Sequence, residues 1–246
     1  MADTNCCNAH DLENHRNLTA MWHALGASPV GGLEAKGGVL AAGWPNRVWL
    51  DLGEVPTRRD LEAIDRARGK RQVLLPLWGH PSSELEALLC AAGYEPLLTQ
   101  TAMSLEPQGR CWSDAEGVDV VTSPELLPRW TAAVSEAFGY GFDAAVSRRL
   151  LEDPSATLFV ATSGAAVSGT GVLYSTGITA GVHWVGVLPA FRRRGVARAI
   201  MNRILRHVVE GGGELVTLQS SAAGRRLYDS LGFLGETPIH TYRSRG

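Results

Sequence analysis

The sequence lacks the marks of a membrane protein, a polyanion binder and a disulfide-stapled domain. No apolar run approaches the ~20 residues of a spanning helix. The first twenty residues show no basic segment followed by an apolar one, so no secretory leader is read and a cytoplasmic protein of bacterial type is expected. Charge of one sign is also missing. Twenty-three Lys and Arg face 25 Asp and Glu, for a formal net charge of -2. Such a balance gives no overall field toward nucleic acid or anionic lipid, and leaves only a local basic run at Arg192–Arg194. Cysteine is scarce as well: Cys6, Cys7, Cys90 and Cys111 have no spacing of a disulfide framework. Cys6 and Cys7 lie near His10 and His15, but no second Cys-x-x-Cys pair completes a zinc pattern. No metal is expected, and the first residues read as a disordered tail.

What is present fits an ordinary globular chain. Apolar residues make up 45% and charged ones 20% of 246 residues, enough to bury a core without cross-links. The polar stretch Glu106–Gly117, with Pro107 and two glycines, separates two patterned regions and reads as a linker. The expected domains are residues 1–112 and 113–246. In the first, the pattern predicts a helix over 9–27, with Leu12, Leu18, Met21, Trp22 and Leu25 inward, and short strands at 39–42 and 47–50. A helix capped by Thr57 should stop at Gly69, followed by a strand at 72–77, a helix at 84–92 and a strand at 97–105. In the second, a strand at 118–121 leads to helices opened by Pro124 and capped by Asp143. Three strands follow at 157–162, 166–175 and 178–188, then a helix at 196–210, a strand at 215–219, a helix at 222–231 and a strand at 239–243. That order predicts an α/β (α+β) fold, a mixed twisted sheet flanked by helices, preceded by a smaller α/β domain.

The informative stretch is Val185–Ala197, reading VGVLPAFRRRGVA. A strand ends, Pro189 breaks it, a basic turn reaches Gly195, and a helix begins at once. The first turn of a helix carries N–H groups with no partner inside the helix, and the macrodipole adds partial positive charge there. Together they suit a phosphate. Gly195 has no Cβ to hold a ligand away, Ala197 is small, and three arginines add charge.

Arg192-x-x-Gly195-x-Ala197, placed after Val187-Leu-Pro189, resembles the R/Q-x-x-G-x-G/A signature of the GNAT superfamily of acyl-CoA-dependent N-acetyltransferases. Ser221-Ala-Ala-Gly-Arg-Arg-Leu-Tyr228-Asp-Ser-Leu-Gly-Phe233 resembles the family's N-x-x-A-x-x-L-Y-x-x-x-G-F segment, and the resemblance spans residues from about 118 to 243. It implies that acetyl-CoA is the donor co-substrate and that N–H groups of Arg193, Arg194, Gly195, Val196 and Ala197 cradle its pyrophosphate, with Arg192 heading the turn. It implies that the Val185–Gly186–Val187 backbone pairs with the pantetheine arm like an added strand. Tyr228 matches the tyrosine that protonates the departing thiolate, and a phenol has the donor hydrogen and a reference pKa near ~10 for that role. Two departures stand out. Ser221 replaces the usual Asn at a cofactor contact. Gly224 replaces the usual Ala, at roughly 1 kcal/mol of helix propensity.

The implied reaction is direct attack of an amine on the thioester, so a proton acceptor is needed. The family often uses a Glu on the strand before V-x-P, and the strand at 178–188 has no acid. His183 is the candidate base, against the alternative of a buried, hydrogen-bonded histidine; Glu136 is a second candidate. In a regular strand His183 shares a face with Val185 and Val187; a bulge would flip that parity. The acceptor should lie where the first two helices of the domain meet. There Phe138-Gly-Tyr-Gly-Phe142 reads either as a mobile wall over the substrate or as a helix stop with two core aromatics, and Trp184 reads as core rather than substrate cage. Residues 72–105 look like a degenerate copy of the family's C-terminal half, with Gly93-Tyr94 echoing Gly232-Phe233, or else like an unrelated α/β scaffold. The reading is an N-acetyltransferase acting on a primary amine of a small molecule or peptide, as a monomer or homodimer. The alternative is a non-catalytic acyl-CoA-binding sensor or scaffold.

Overall fold

The computed structural model describes residues 8–41, 43–113, 116–235 and 237–245. Cys6 and Cys7 lie outside the described residues. Helices α1 (Ala9–Ala24), α2 (Arg58–Arg68) and α3 (Ser83–Ala91) alternate with strands β1 (Ser28–Pro29), β2 (Val39–Leu40), β3 (Val48–Trp49), β4 (Leu74–Trp78) and β5 (Tyr94–Leu105). Then come β6 (Val118–Val120), α4 (Leu127–Phe138), α5 (Ala144–Glu152), β7 (Ala156–Ser163), β8 (Ala166–Thr176), β9 (Thr179–Val187), α6 (Val196–Glu210), β10 (Leu215–Ser220), α7 (Arg225–Leu231) and β11 (Pro238–Ser244). The chain is a mixed α/β protein whose strands pair both parallel and antiparallel. It divides into two compact units, Met1–Met103 with Gln219–Gly246, and Ser104–Leu218.

The first unit holds the small meander β1-β2-β3. It also holds a ladder in which the C-terminal strand β11 lies between β4 and β5, antiparallel to both. Thr57 and Asp60 form a reciprocal capping box that starts α2, and Gly69 ends it. Ser82 accepts a bond from the Leu85 N–H to start α3. Leu61, Ile64, Leu75 and Leu89 are almost fully buried in one apolar cluster. Helix α1 departs from its expected apolar stripe. Leu12 is exposed, while Asp11, Asn14, His15 and Asn17 are buried. Their partners explain this. The Asn14 amide donates to the Met103 carbonyl, its Oδ1 accepts from the Gln219 amide, and Asp11 accepts from the Thr237 hydroxyl. Satisfied in this way, buried polar groups escape the desolvation cost of unpaired ones.

The second unit builds an antiparallel run β6-β7-β8-β9, with β10 added in parallel to β9. Helix α6 covers one face through Ile200, Met201, Ile204, Leu205 and Val208, all buried. Each such side chain contributes roughly 1.5–3 kcal/mol when removed from water. It lies close because Gly169 and Gly171 of β8 present no side chains: a Cβ there would stand 2.9 Å from Ile200. Helix α4 covers the other face, where its Trp130 is fully buried and donates its indole N–H to the Phe159 carbonyl. No helix among the described residues is long and apolar enough to cross a membrane.

Candidate active site

Strand β9 positions most of the second unit's candidate residues. The β8–β9 register pairs Thr170 with Gly186 but Val172 with His183, so three steps on β9 oppose two on β8. This is a bulge, and Trp184 takes the left-handed conformation at φ 48° to form it. The Thr170 hydroxyl donates to the Trp184 carbonyl and so satisfies one bulge acceptor. The bulge decides the parity question left open by the sequence. His183 pairs with Val172 and falls on the Gly186 side of β9, away from Val185, which reaches toward Gly171 under α6. His183 is buried, with 7% of its surface exposed, and its ring centroid lies 6.0 Å from that of Trp184.

After Leu188 a single 3-10 turn, Pro189–Phe191, leads into the basic segment. Arg193 (φ 62°) and Gly195 (φ 82°) both turn left-handed. Only a glycine adopts that conformation without penalty, and a Cβ on Gly195 would meet nothing within 4 Å, so the space before α6 is open. No side chain caps this helix start. Its first N–H groups are therefore available to an anion. Arg192 and Arg194 make different contacts. Arg192 donates through Nε to the Val187 carbonyl and through a terminal nitrogen to the Ala137 carbonyl, both at 3.2 Å. It ties the turn to the end of β9 and to α4. Arg194 lies over the Phe191 ring at 5.8 Å. The parallel β9–β10 register runs from Thr179 with Leu215 to Val182 with Leu218, and β9 continues to Val187.

On the α4 face of β9 the aromatic residues gather. The Trp184 indole N–H donates to the Tyr140 hydroxyl at 3.2 Å. Phe142 meets Trp184 edge-on at 5.2 Å and Trp130 at 5.9 Å. Phe142 is buried, Phe138 and Tyr140 are exposed, and Trp184, expected as core, is half-buried. Gly186 lets Phe138 approach the strand: a Cβ there would stand 2.7 Å from the ring. Sequence reasoning missed this contact and the Arg192–Ala137 tie, since neither residue pair is close in the chain. Glu136 is exposed on α4.

Tyr228 and Ser221 belong to the first unit. The Ser221 hydroxyl accepts from the Gly224 N–H at 3.3 Å, one of the bonds that start the turn leading into α7. Tyr228 is half-buried and stacks edge-on against Phe233 at 5.8 Å. Desolvation pushes its phenol up to about 12, so the hydroxyl keeps its proton at neutral pH. Among the described residues no three His, Cys, Asp or Glu side chains are grouped to hold a metal.

A bulged strand, a proline break and an open, glycine-led helix start together form a turn suited to an anion. Residues 126–233 match the sequence model of the acetyltransferase (GNAT) family, and the chain carries a GNAT-family acetyltransferase domain over those residues. No curated protein matches the chain. Among solved structures, a GCN5-related N-acetyltransferase from Kribbella flavida is similar at TM-score 0.65 and 20% identity, over 85% of this chain and 86% of that one. A GCN5-related N-acetyltransferase from Sphaerobacter thermophilus is similar at TM-score 0.55 and 24% identity, over 74% of this chain and 64% of that one. A tandem GNAT protein from the clavulanic acid biosynthesis pathway is similar at TM-score 0.56 and 14% identity, over 81% and 75%. At these identities the likeness speaks for the fold.

Proposed function

We propose that this protein transfers an acetyl group from acetyl-CoA to a primary amine of a small molecule or peptide. The observation that carries the reading is the turn Arg192–Ala197. Two left-handed residues deliver an uncapped helix start whose approach is open at Gly195. A pyrophosphate fits that chemistry: N–H donors, a helix dipole and exposed arginines. In this reading the amides of Arg193, Arg194, Gly195, Val196 and Ala197 hold the phosphates. Arg192 holds the turn in shape, and Val185, Gly186 and Val187 offer their backbone to the pantetheine arm. Ser221 takes the cofactor contact usually made by Asn.

The amine nitrogen attacks the thioester carbonyl carbon. A C–N bond forms, the C–S bond breaks, and the thiolate takes a proton from Tyr228. A phenol carries the donor hydrogen that this step requires. The amine's own proton passes to His183 or to water. Residues 1–112 are read as a degenerate domain of the same type and residues 113–246 as the acyl-transferring domain; the similarity to a tandem GNAT fold supports this.

The test is CoA release over a panel of amines, with acetyl-CoA binding measured by calorimetry. Tyr228→Phe should lower kcat by roughly a hundredfold, within the range of general acid catalysis, and leave acetyl-CoA binding intact. Tight acetyl-CoA binding with no turnover of any amine by the wild type would instead identify an acyl-CoA-binding sensor.

A further inference from the structure

We propose that the acceptor is a primary amine carried on an aromatic body, seated against Phe138, Tyr140 and Trp184. The proposal rests on the acetyl-transfer reading of the same domain and narrows its substrate. Three observations bear on it. The first is placement. Phe138 packs directly on Gly186, so an aromatic ring borders the strand whose backbone is assigned to the pantetheine arm. The second is exposure. Phe138 and Tyr140 keep 40% and 43% of their surface open, whereas an aromatic serving only the core would be covered, as Trp130 and Phe142 are. The third is geometry. The Tyr140 hydroxyl accepts from the Trp184 indole N–H, and Phe138 and Tyr140 stand 5.9 Å apart at an interplanar angle of 43°. The bond holds the Tyr140 ring to the bulge, and the two tilted rings form a wall of fixed shape.

Such a wall selects by chemistry. Aromatic faces and edges attract another planar ring, with centroids at about 4.5–7 Å. An arylalkylamine stacks its ring on the wall and leaves its amine free to reach β9. A polyamine or a small amino acid offers no planar surface to match. The transfer balances as above: the amine nitrogen gains the acetyl group, CoA leaves as the thiol, and the amine's proton goes to His183 or water. The left-handed Trp184 is then a substrate-contacting residue as well as the hinge of the bulge.

The experiment uses the full chain with acetyl-CoA and 2-phenylethylamine, spermidine and alanine as acceptors. CoA release is followed as free thiol, and binding of 2-phenylethylamine is followed by calorimetry in the presence of CoA. The expected result is a kcat/KM for 2-phenylethylamine at least tenfold above the other two. Phe138→Ala and Tyr140→Ala should each raise its KM by roughly tenfold, the scale of one lost ring contact, with the KM for acetyl-CoA changed less than twofold. Equal or better turnover of spermidine or alanine, or indifference of both variants, overturns the aromatic acceptor and leaves acetyl transfer standing. Saturable binding of 2-phenylethylamine with no turnover of any amine supports the aromatic pocket and overturns acetyl transfer. Neither binding nor turnover overturns both.

Discussion

Arg192 donates through Nε to the carbonyl of Val187, at 3.2 Å, across the break between β9 and the basic turn. Its second bond reaches the Ala137 carbonyl at the end of α4. The side chain that heads the phosphate-type motif is thus occupied with backbone acceptors, and in the proposed function its role is to fix the loop. Arg192→Lys keeps the charge but loses the fork that spans both carbonyls. It should raise the KM for acetyl-CoA about as much as Arg192→Ala, by roughly tenfold, the scale of one charge-assisted bond. Rescue by lysine in steady-state kinetics would show that charge alone matters.

Gly195 sits at φ 82°, where an L-residue is strained by roughly 1–2 kcal/mol. No neighbour blocks an added methyl, so Gly195→Ala tests the backbone conformation and not packing. It should lower the melting temperature by a few degrees and raise the KM for acetyl-CoA, measured by thermal unfolding and initial rates.

Gly224 stands where the GNAT motif that this segment resembles has alanine, and the structure supplies a reason. A Cβ there would lie 2.9 Å from Cε2 of Tyr228, whose ring also packs on Phe233. Gly224 is the N-cap of α7, a position that favours Gly over Ala, so Gly224→Ala gains no helix propensity and must push the phenol aside. The expected outcome is a melting temperature lowered by a few degrees together with a several-fold fall in kcat.

Tyr228 also sets an alkaline limit. Its folded pKa is raised to about 12, against ~10 in the unfolded chain. The unfolded state therefore releases the proton first as pH rises. Stability from this group is intact below pH ~10 and is lost as pH climbs toward 12. Chemical denaturation at pH 8, 10 and 11 should show a loss on the alkaline side that Tyr228→Phe reduces.

His15 sets the opposite limit. Burial holds its pKa below the usual imidazole value, against smaller opposing effects of the Leu50 carbonyl and Asp51. The neutral form is favoured in the fold, so its contribution is present above pH ~6.5 and is lost as pH falls. Melting curves from pH 7.5 to 5 should fall for the wild type and fall less steeply for His15→Gln.

Local chemistry was readable where it acts over a few residues. Thr57 and Gly69 bracket α2 as their capping roles require, and α6 runs from Val196 to Glu210 as its apolar spacing and Gly211 indicate. Helix α7 is shorter than its pattern: Ala222 to Gly224 form a turn and the helix begins at Arg225, because a Gly and a serine bond to the backbone compete with the first helical turn. On helix α1, Leu18, Met21, Trp22 and Leu25 are inward as their spacing predicts, but Leu12 is exposed, and Asn14 and Asp11 are buried with partners 89 and 226 residues away.

The amino-acid sequence by itself determined the order of elements, the turn at Arg192–Ala197 and the kinship of residues 126–233, because capping, periodicity and the proline break are encoded within single segments. The tertiary structure alone decided the face of His183, the use of the Arg192 guanidinium and the exposure of Phe138 and Tyr140. Those depend on a bulge register between two strands, on carbonyls from a distant helix, and on a ring lying against Gly186. Such contacts join residues whose separation along the chain leaves no local signal, and only packing brings them together.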